Sequence, residues 1–140
     1  MRSFIAAAAV LVAAPALAAD TVDVVGSWSC NAGSFRTVML EFGADDAATV
    51  GMHADKEGFL EMDTTATGTY AVDGETIAIA FAAVDIDKMV VNGASASDEQ
   101  QAQVVAGMKA QGASFDIVRA SPEMIRVRNS KGEEWDCSKQ

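Results

Sequence analysis

The segment GSWSC (residues 26–30) is echoed near the other end of the chain by EWDC (residues 134–137), and these two segments hold both tryptophans and both cysteines. In a β-strand, residues i and i+2 lie on the same face, so each tryptophan lies beside the cysteine that follows it. If the first and last strands are neighbours, Cys30 and Cys137 can bond while both indoles cover the bond and close the core beneath it. The pattern therefore predicts a fold whose two ends pair side by side.

Residues 1–18 have the organisation of a signal peptide. Arg2 provides the charged start, residues 4–14 form an apolar run too short to span a bilayer, and residues 16–18 (Ala-Leu-Ala) form a small-x-small cleavage site. We predict cleavage after Ala18, which leaves a single domain over residues 19–140 without an integral membrane segment. The mature protein is expected in the periplasm or outside the cell.

Export bears directly on the two cysteines. In an oxidising compartment such a pair most often forms a disulfide, so we predict a bond between Cys30 and Cys137. A catalytic thiol or a two-thiolate metal site is the alternative, but the chain has no Cys-x-x-Cys spacing and a single histidine. A bond that closes a loop of roughly 100 residues would stabilise the fold by about 4–5 kcal/mol in the chain-entropy model.

The composition is acidic, with 20 Asp and Glu against 10 Lys and Arg and a formal net charge of -10. Affinity for nucleic acid and for anionic membranes comes from clustered Lys and Arg, so we expect no nucleic-acid partner. A basic protein is better matched to this charge, although acidity alone also keeps an exported protein soluble. The length suits one domain with one core, and we expect a monomer.

Between the two ends, short alternating apolar runs broken by turn residues predict an all-β domain of eight or nine antiparallel strands. Residues 59–65 and 67–72 are predicted as separate strands, and a bulge or bend near residues 82–83 explains why the later alternation slips. Residues 89–91 are either a short strand or part of a loop. A small up-and-down barrel is the expected architecture because closure places the first and last strands side by side, and a β-sandwich is the alternative.

One inserted segment, residues 97–111, has the features of an α-helix. Ser97 and Gln100 form a capping box, acidic residues occupy the first turn, and Gly112 can end the helix in the left-handed conformation. Its apolar stripe is narrow, so we expect the helix to lie against the barrel wall or to cover one end.

The inward-facing apolar residues are first of all a core, and some of them form the candidate binding site. Ala and Gly are abundant and large aromatic residues are few, which favours an incompletely filled interior, although a narrow barrel can also close without a void. For a cavity, the predicted ligand-binding residues are Met52, Met62, Tyr70 and Phe81. The full inward set comprises Leu40, Val50, Met52, Leu60, Met62, Tyr70, Ile77, Ile79, Phe81, Phe115, Ile117, Ile125 and Val127.

No constellation of residues indicates a catalytic centre or a metal site, so we predict a protein that is not an enzyme and carries no cofactor. His53 is the only histidine and is expected in solvent, and a Gly-x-Ser-x-Gly motif is absent. The methionines lack Met-x-x-Met spacing, which favours gap filling over copper binding. The carboxylates of Asp85 with Asp87 and of Asp45 with Asp46 lack the spacing of a calcium loop and are expected to be solvated.

The Gly-x-Trp at residues 26–28, on a first strand after a signal peptide and before a β-meander, resembles the lipocalins and the bacterial lipocalin-like domains. In that family the tryptophan plugs the closed end of the barrel and a basic residue from a late strand commonly packs over it, for which Arg126 or Arg128 is the candidate here. If their neighbours in the strand face inward, however, both arginines point outward. The resemblance implies binding, storage or delivery of a small apolar molecule.

A second resemblance is to the periplasmic inhibitors of C-type lysozyme. It is carried by the aromatic-x-Cys of the first strand, by Val-x-Leu-x-Phe over residues 38–42 and by a late cysteine in an acidic exported barrel. Those inhibitors insert a loop with Ser-x-Ser-Gly and a nearby Lys into the enzyme's cleft, and residues 65–70 (TATGTY) match the hydroxyls and the glycine but lack the basic residue. The implied contact residues are Thr65, Thr67, Gly68 and Tyr70.

Overall fold

The computed structural model describes residues 22–140, so the predicted signal peptide and its cleavage site lie outside the described residues. Within them the chain forms nine β-strands and one α-helix, which confirms the predicted all-β class with one inserted helix. In chain order the elements are β1 (Gly26–Asn31), β2 (Arg36–Phe42), β3 (Ala47–Lys56), β4 (Leu60–Asp73), β5 (Thr76–Val91), β6 (Ala94–Ser95), α1 (Asp98–Gln111), β7 (Ala113–Ala120), β8 (Met124–Asn129) and β9 (Glu134–Lys139).

Eight of the strands close into an antiparallel barrel. Strands β1 to β5 pair in chain order, β7 pairs with β5, and β9 pairs with β1 to complete the ring. The two-residue strand β6 pairs with β5 outside this ring. The predicted barrel is therefore confirmed, and the β-sandwich alternative is wrong because one continuous ring of paired strands replaces two stacked sheets.

The strands at the two ends of the domain form the seam of the barrel, as the repeated Trp-x-Cys predicts. Cys30 lies directly opposite Cys137 across β1 and β9, and the two sulfurs form a disulfide. Because these strands are antiparallel, Trp28 and Trp135 extend from the bond in opposite directions along the barrel. Both indoles are buried in the same core cluster as the cysteines. The thiol and metal-site alternatives are excluded because both cysteines are in this bond.

Strands β4 and β5 form one long hairpin, which was predicted from the sequence as several shorter strands. The predicted break between residues 59–65 and 67–72 is wrong, because β4 is continuous over 14 residues, and residues 89–91 belong to β5. Thr67 pairs with Ala83 and Gly68 pairs with Phe81, which leaves Ala82 as an extra residue. The predicted bulge near residues 82–83 is thereby confirmed.

Helix α1 packs against β5, between β6 and β7 in the chain. Its predicted capping box is present, since Gln100 N donates to Ser97 Oγ at 3.2 Å and Ser97 N donates to Gln100 Oε1 at 2.9 Å. Gly112 ends the helix, as predicted, and its φ of 61° is positive, but its ψ of -154° lies outside the predicted left-handed helical conformation. A Cβ at this position would collide with the carbonyl oxygen of Ile79. No residue of α1 is buried, so the helix packs on the barrel without entering the core. It has neither the length nor the apolar composition needed to cross a bilayer.

The core fills the barrel along the seam and at the end of the barrel where β1 begins, which is called the β1 end below. Most of the predicted inward set is buried, while Val50, Met52 and Phe81 are partly buried and pack against the core. Leu60 and Met62 are outside this cluster. They lie near the start of β4, where the hairpin with β3 turns at the end of the barrel, so fewer strands surround them.

Candidate functional site

An apolar cavity of about 200 Å³ lies inside the barrel, beside the C-terminal half of α1. Its wall is formed by residues of six strands (β2, β3, β4, β5, β7 and β9) together with Met108 and Gln111 of the helix. Several of the strand residues that line it alternate with exposed neighbours, as for Trp135 between Glu134 and Asp136. This alternation places the cavity in the lumen of the barrel and not on its outer face.

The register of the strands brings the lining residues to one level. Val38, Met52 and Thr64 are successive cross-strand partners on β2, β3 and β4, and all three line the cavity. Phe81 lines the cavity from β5, where it pairs with Gly68 and lies directly before the bulge at Ala82. The bulge resets which side chains of β5 face inward, because an extra residue shifts the alternation by one position.

Two buried polar atoms belong to the residues that line this cavity. Within residues 22–140, three buried side-chain polar atoms have no hydrogen-bond partner, and two of them are Thr64 Oγ1 and Trp135 Nε1. Thr64 is 3% exposed and Trp135 is 8% exposed. A buried polar group without a partner costs about 1–3 kcal/mol, so native structures rarely keep one without a reason. The cavity wall is therefore mostly apolar, and two of the lining residues each carry an unsatisfied polar atom that is covered from water-sized molecules.

The other tryptophan provides a comparison for Trp135. Trp28 Nε1 donates a hydrogen bond to Val24 O at 2.8 Å and is fully satisfied at the β1 end of the barrel. The two Trp-x-Cys segments thus place one paired and one unpaired indole on opposite sides of the disulfide.

The structure brings together two of the four residues predicted to bind a ligand. Met52 and Phe81 line the cavity. Met62 pairs with Ala54 and Met89 near the start of β4, away from the cavity. Tyr70 lies farther along the barrel, toward its β1 end.

Tyr70 has a different environment from the one predicted for a ligand contact. Its ring packs on Phe42 with 4.7 Å between the ring centroids, and its hydroxyl donates to Gly43 O at 2.7 Å. Burial raises the pKa of the Tyr70 hydroxyl above its usual value, with a smaller contribution from nearby carboxylates that include Asp46. These contacts describe a structural tyrosine that fastens the β2–β3 turn to β4.

Sequence analysis missed Thr64, Trp135 and Met108 as cavity residues. Trp135 was expected to cover the disulfide, and Thr64 lies in a run of threonines in which alternation alone does not mark one as buried. Met108 belongs to the narrow apolar stripe of the helix, which was predicted to face the barrel but without a definite partner. The cross-strand register from Met52 to Thr64 is the signal that would have found the threonine.

The residues that the second resemblance implied as an inhibitory loop lie within a strand. Thr65, Thr67 and Gly68 are in the middle of β4, paired with both β3 and β5, and Tyr70 is buried. The expectation of a protruding loop is wrong because β4 runs unbroken from Leu60 to Asp73. Gly68 serves the packing of the hairpin, since a Cβ there would collide with the carbonyl oxygen of Ala80.

The only histidine of the chain lies on the outer surface, as predicted. His53 Nδ1 is 2.5 Å from Asp63 Oδ1 across β3 and β4, and the histidine side chain is 55% exposed. The hydrogen bond to Asp63 and the charge of that carboxylate raise the pKa of His53 above 6.5. Among residues 22–140, no group of three or more His, Cys, Asp or Glu side chains is arranged to hold a metal ion.

The cationic partner of Trp28 is Lys139 and not an arginine. Lys139 Nζ lies 5.6 Å from the centroid of the Trp28 ring, within the range of a cation–π contact. Arg126 Nε instead donates to Asp136 at 2.7 Å, and Arg128 Nη2 donates to Glu134 at 2.7 Å. The expectation that Arg126 or Arg128 packs over the tryptophan is wrong, because the intervening residue of β8 faces inward and turns both arginines outward.

Similarity to known proteins is found among solved structures. No family model matches the chain, and no curated protein matches it. Four chains of solved structures match, among them an uncharacterized protein from Bacteroides eggerthii DSM 20697. That chain is 13% identical, the match covers 84% of this chain and 100% of the other, and the TM-score is 0.46. The strand topology alone defines the class of this protein, a closed antiparallel barrel with an inserted helix.

Proposed function

We propose that this protein binds a small apolar molecule inside its barrel, as a lipocalin-like carrier or sensor without enzymatic activity. The observation that carries the proposal is the apolar cavity of about 200 Å³ lined by inward-facing residues of six strands and by α1. Binding pockets for small molecules are concave and mostly apolar, with a few polar groups that orient the ligand. The buried disulfide supports the proposed location, the periplasm or the cell exterior.

Helix α1 supports the proposal because it forms part of the cavity wall and can move away from the barrel. Met108 and Gln111 of α1 line the cavity, although no residue of the helix is buried. Elements with few buried contacts open at a lower free-energy cost than the core does. Displacement of α1 would expose the lumen while the ring of eight strands stays closed.

Retention and filling of the cavity test the proposal. Native mass spectrometry of the protein purified without a delipidating step should show bound material of low mass. The Met52→Trp variant, which fills the cavity, should lose this material and should bind added ethylbenzene more weakly. Met39→Trp is the matched control, because Met39 is 42% exposed on the adjacent strand. Equal binding by both variants and the parent protein would refute the cavity as the site.

Inhibition of a basic hydrolase such as C-type lysozyme is the competing proposal. The formal net charge of -10 favours association with a basic enzyme, and Thr65 contributes to a depression on the outer face of β2 to β4 that also includes His53. A salt-sensitive complex with lysozyme that is weakened by Thr65→Lys and unaffected by Phe81→Trp would support this reading, because Phe81 lines the cavity and not this depression. Absence of a complex at low ionic strength would rule it out for lysozyme.

A further inference from the structure

We infer that the ligand is a neutral molecule with an apolar body and one hydrogen-bond-accepting oxygen, held by the indole N–H of Trp135 and the hydroxyl of Thr64. This inference rests on the proposed function and adds the chemical class of the ligand. Its basis is the pairing of an apolar cavity with two polar atoms that have no partner within residues 22–140.

The indole N–H of Trp135 indicates that the ligand supplies a hydrogen-bond acceptor. Trp Nε1–H can only donate a hydrogen bond, whereas a threonine hydroxyl can both donate and accept. The indole of Trp28 is satisfied by a backbone carbonyl at 2.8 Å, but Trp135 has no such partner among the described residues. An oxygen of a bound molecule would provide the bond that the fold itself does not, once a small side-chain rotation on binding uncovers the N–H, because the indole nitrogen has almost no accessible surface without a ligand.

The absence of charged side chains around the cavity indicates that the acceptor oxygen of the ligand is neutral. Of the described residues that line it, none is Asp, Glu, Lys, Arg or His. A carboxylate buried without a cation would lose its hydration and gain no ion pair, and the formal net charge of -10 further disfavours an anion. Carbonyl and hydroxyl compounds fit these conditions, whereas free fatty acids and other carboxylates do not.

The volume limits the size of the ligand. A cavity of about 150 Å³ lined by apolar side chains can hold benzene. The cavity of about 200 Å³ therefore suits a substituted single ring or a short alkyl chain, and a larger molecule would extend through its open side.

Three probes of nearly equal size test the inference. Acetophenone has a neutral carbonyl, ethylbenzene has no acceptor, and benzoate carries a charge. Acetophenone should bind roughly 3- to 10-fold more tightly than ethylbenzene, the range that one or two net hydrogen bonds provide, and benzoate should bind most weakly. In ¹⁵N–¹H correlation spectra the Trp135 indole N–H should move downfield with acetophenone but not with ethylbenzene, while the Trp28 indole serves as the internal control.

Variants separate the roles of the two polar groups. Thr64→Val and Trp135→Phe should each reduce the preference for acetophenone over ethylbenzene, and Thr64→Ser, which keeps the hydroxyl, should retain it. Thr67→Val, on the exposed face of the same strand, is the matched control. If Trp135→Phe does not fold, the Thr64 series and the indole shift still decide the question.

The possible outcomes distinguish this inference from the function on which it rests. Equal affinities for acetophenone and ethylbenzene, or tightest binding of benzoate, would overturn the inference and leave cavity binding intact. Binding of none of the three probes would overturn both.

Discussion

His53 is the single histidine of the chain, so its titration can be followed without ambiguity. Its hydrogen bond with Asp63 raises the pKa of the imidazole above 6.5. Asp63→Asn should lower this pKa toward 6.5 in an NMR titration, and Asp85→Asn, which removes an exposed carboxylate elsewhere, should leave it unchanged. A pKa that stays the same in Asp63→Asn would show that the pair does not form in solution.

The pair of His53 and Asp63 also predicts how the stability of the fold changes with pH. Because the folded-state pKa of His53 is raised, the pair stabilises the fold fully below the unfolded-state pKa, near 6.5, and this contribution disappears as the pH rises through the folded-state pKa. The difference in unfolding free energy between the parent protein and Asp63→Asn should therefore shrink from pH 5 to pH 8. Urea unfolding at several pH values measures it, and growth of the difference with pH would contradict the assignment.

Two strand glycines of similar appearance in the sequence should respond differently to substitution. A Cβ on Gly68 would collide with the backbone oxygen of Ala80, whereas a Cβ on Gly51 would make an ordinary 3.7 Å contact with Met39. Gly68→Ala should lower the free energy of unfolding by about 2–3 kcal/mol, because the β4–β5 hairpin must shift. Gly51→Ala should change it by less than about 0.5 kcal/mol, and similar losses in urea unfolding would contradict the hairpin geometry.

At the scale of elements, α1 shows what local sequence can predict. Its capping box and terminal glycine were read correctly because they depend on residues three or four positions apart. The continuity of β4 and β5 was not predicted correctly, because it depends on pairing between distant residues such as Thr64 and Ile86. The register of such pairs shifts at bulges, and the partner strand determines where a bulge lies. In the sequence, a bulge is visible only as a break in the alternation of apolar and polar residues.

The helix contains a matched pair of glycines. Gly107 has open space around its Cβ position, whereas Gly112 has a positive φ and a close backbone neighbour. Gly107→Ala should raise the free energy of unfolding of α1 by about 0.5–1 kcal/mol, since alanine loses less backbone entropy. Gly112→Ala should destabilise the protein. Hydrogen exchange of the α1 amides measures both changes, and a loss of protection in Gly107→Ala would contradict the open environment.

At the scale of the whole molecule, the seam between β1 and β9 could be predicted and the binding cavity only in part. Cysteine pairing and alternation were sufficient to place Cys30 opposite Cys137. Met52 and Phe81 were identified as inward-facing residues, but their meeting with Trp135 depends on the order of eight strands around the ring. Thr64 shows the limit most clearly, because its burial follows from closure and not from its own chemistry.

The disulfide should be the largest single contribution to global stability. It joins residues separated by 107 positions, and the chain-entropy model gives about 4–5 kcal/mol for such a loop. A reducing agent should therefore lower the urea midpoint of the parent protein strongly. The double variant Cys30→Ala/Cys137→Ala should be less stable from the start and insensitive to the reductant. Equal midpoints for the parent protein with and without reductant would contradict this expectation.

Nearly all of the folded chain lies between the two bonded cysteines, so the backbone from residue 30 to residue 137 is a covalent macrocycle. A protease that cuts one surface turn within it would release no fragment, since both halves stay joined through sulfur. The cleaved protein would gain only the mass of one water molecule and would separate into two peptides after reduction. In a compartment that contains proteases, this closure would allow a nicked molecule to keep its ring of strands.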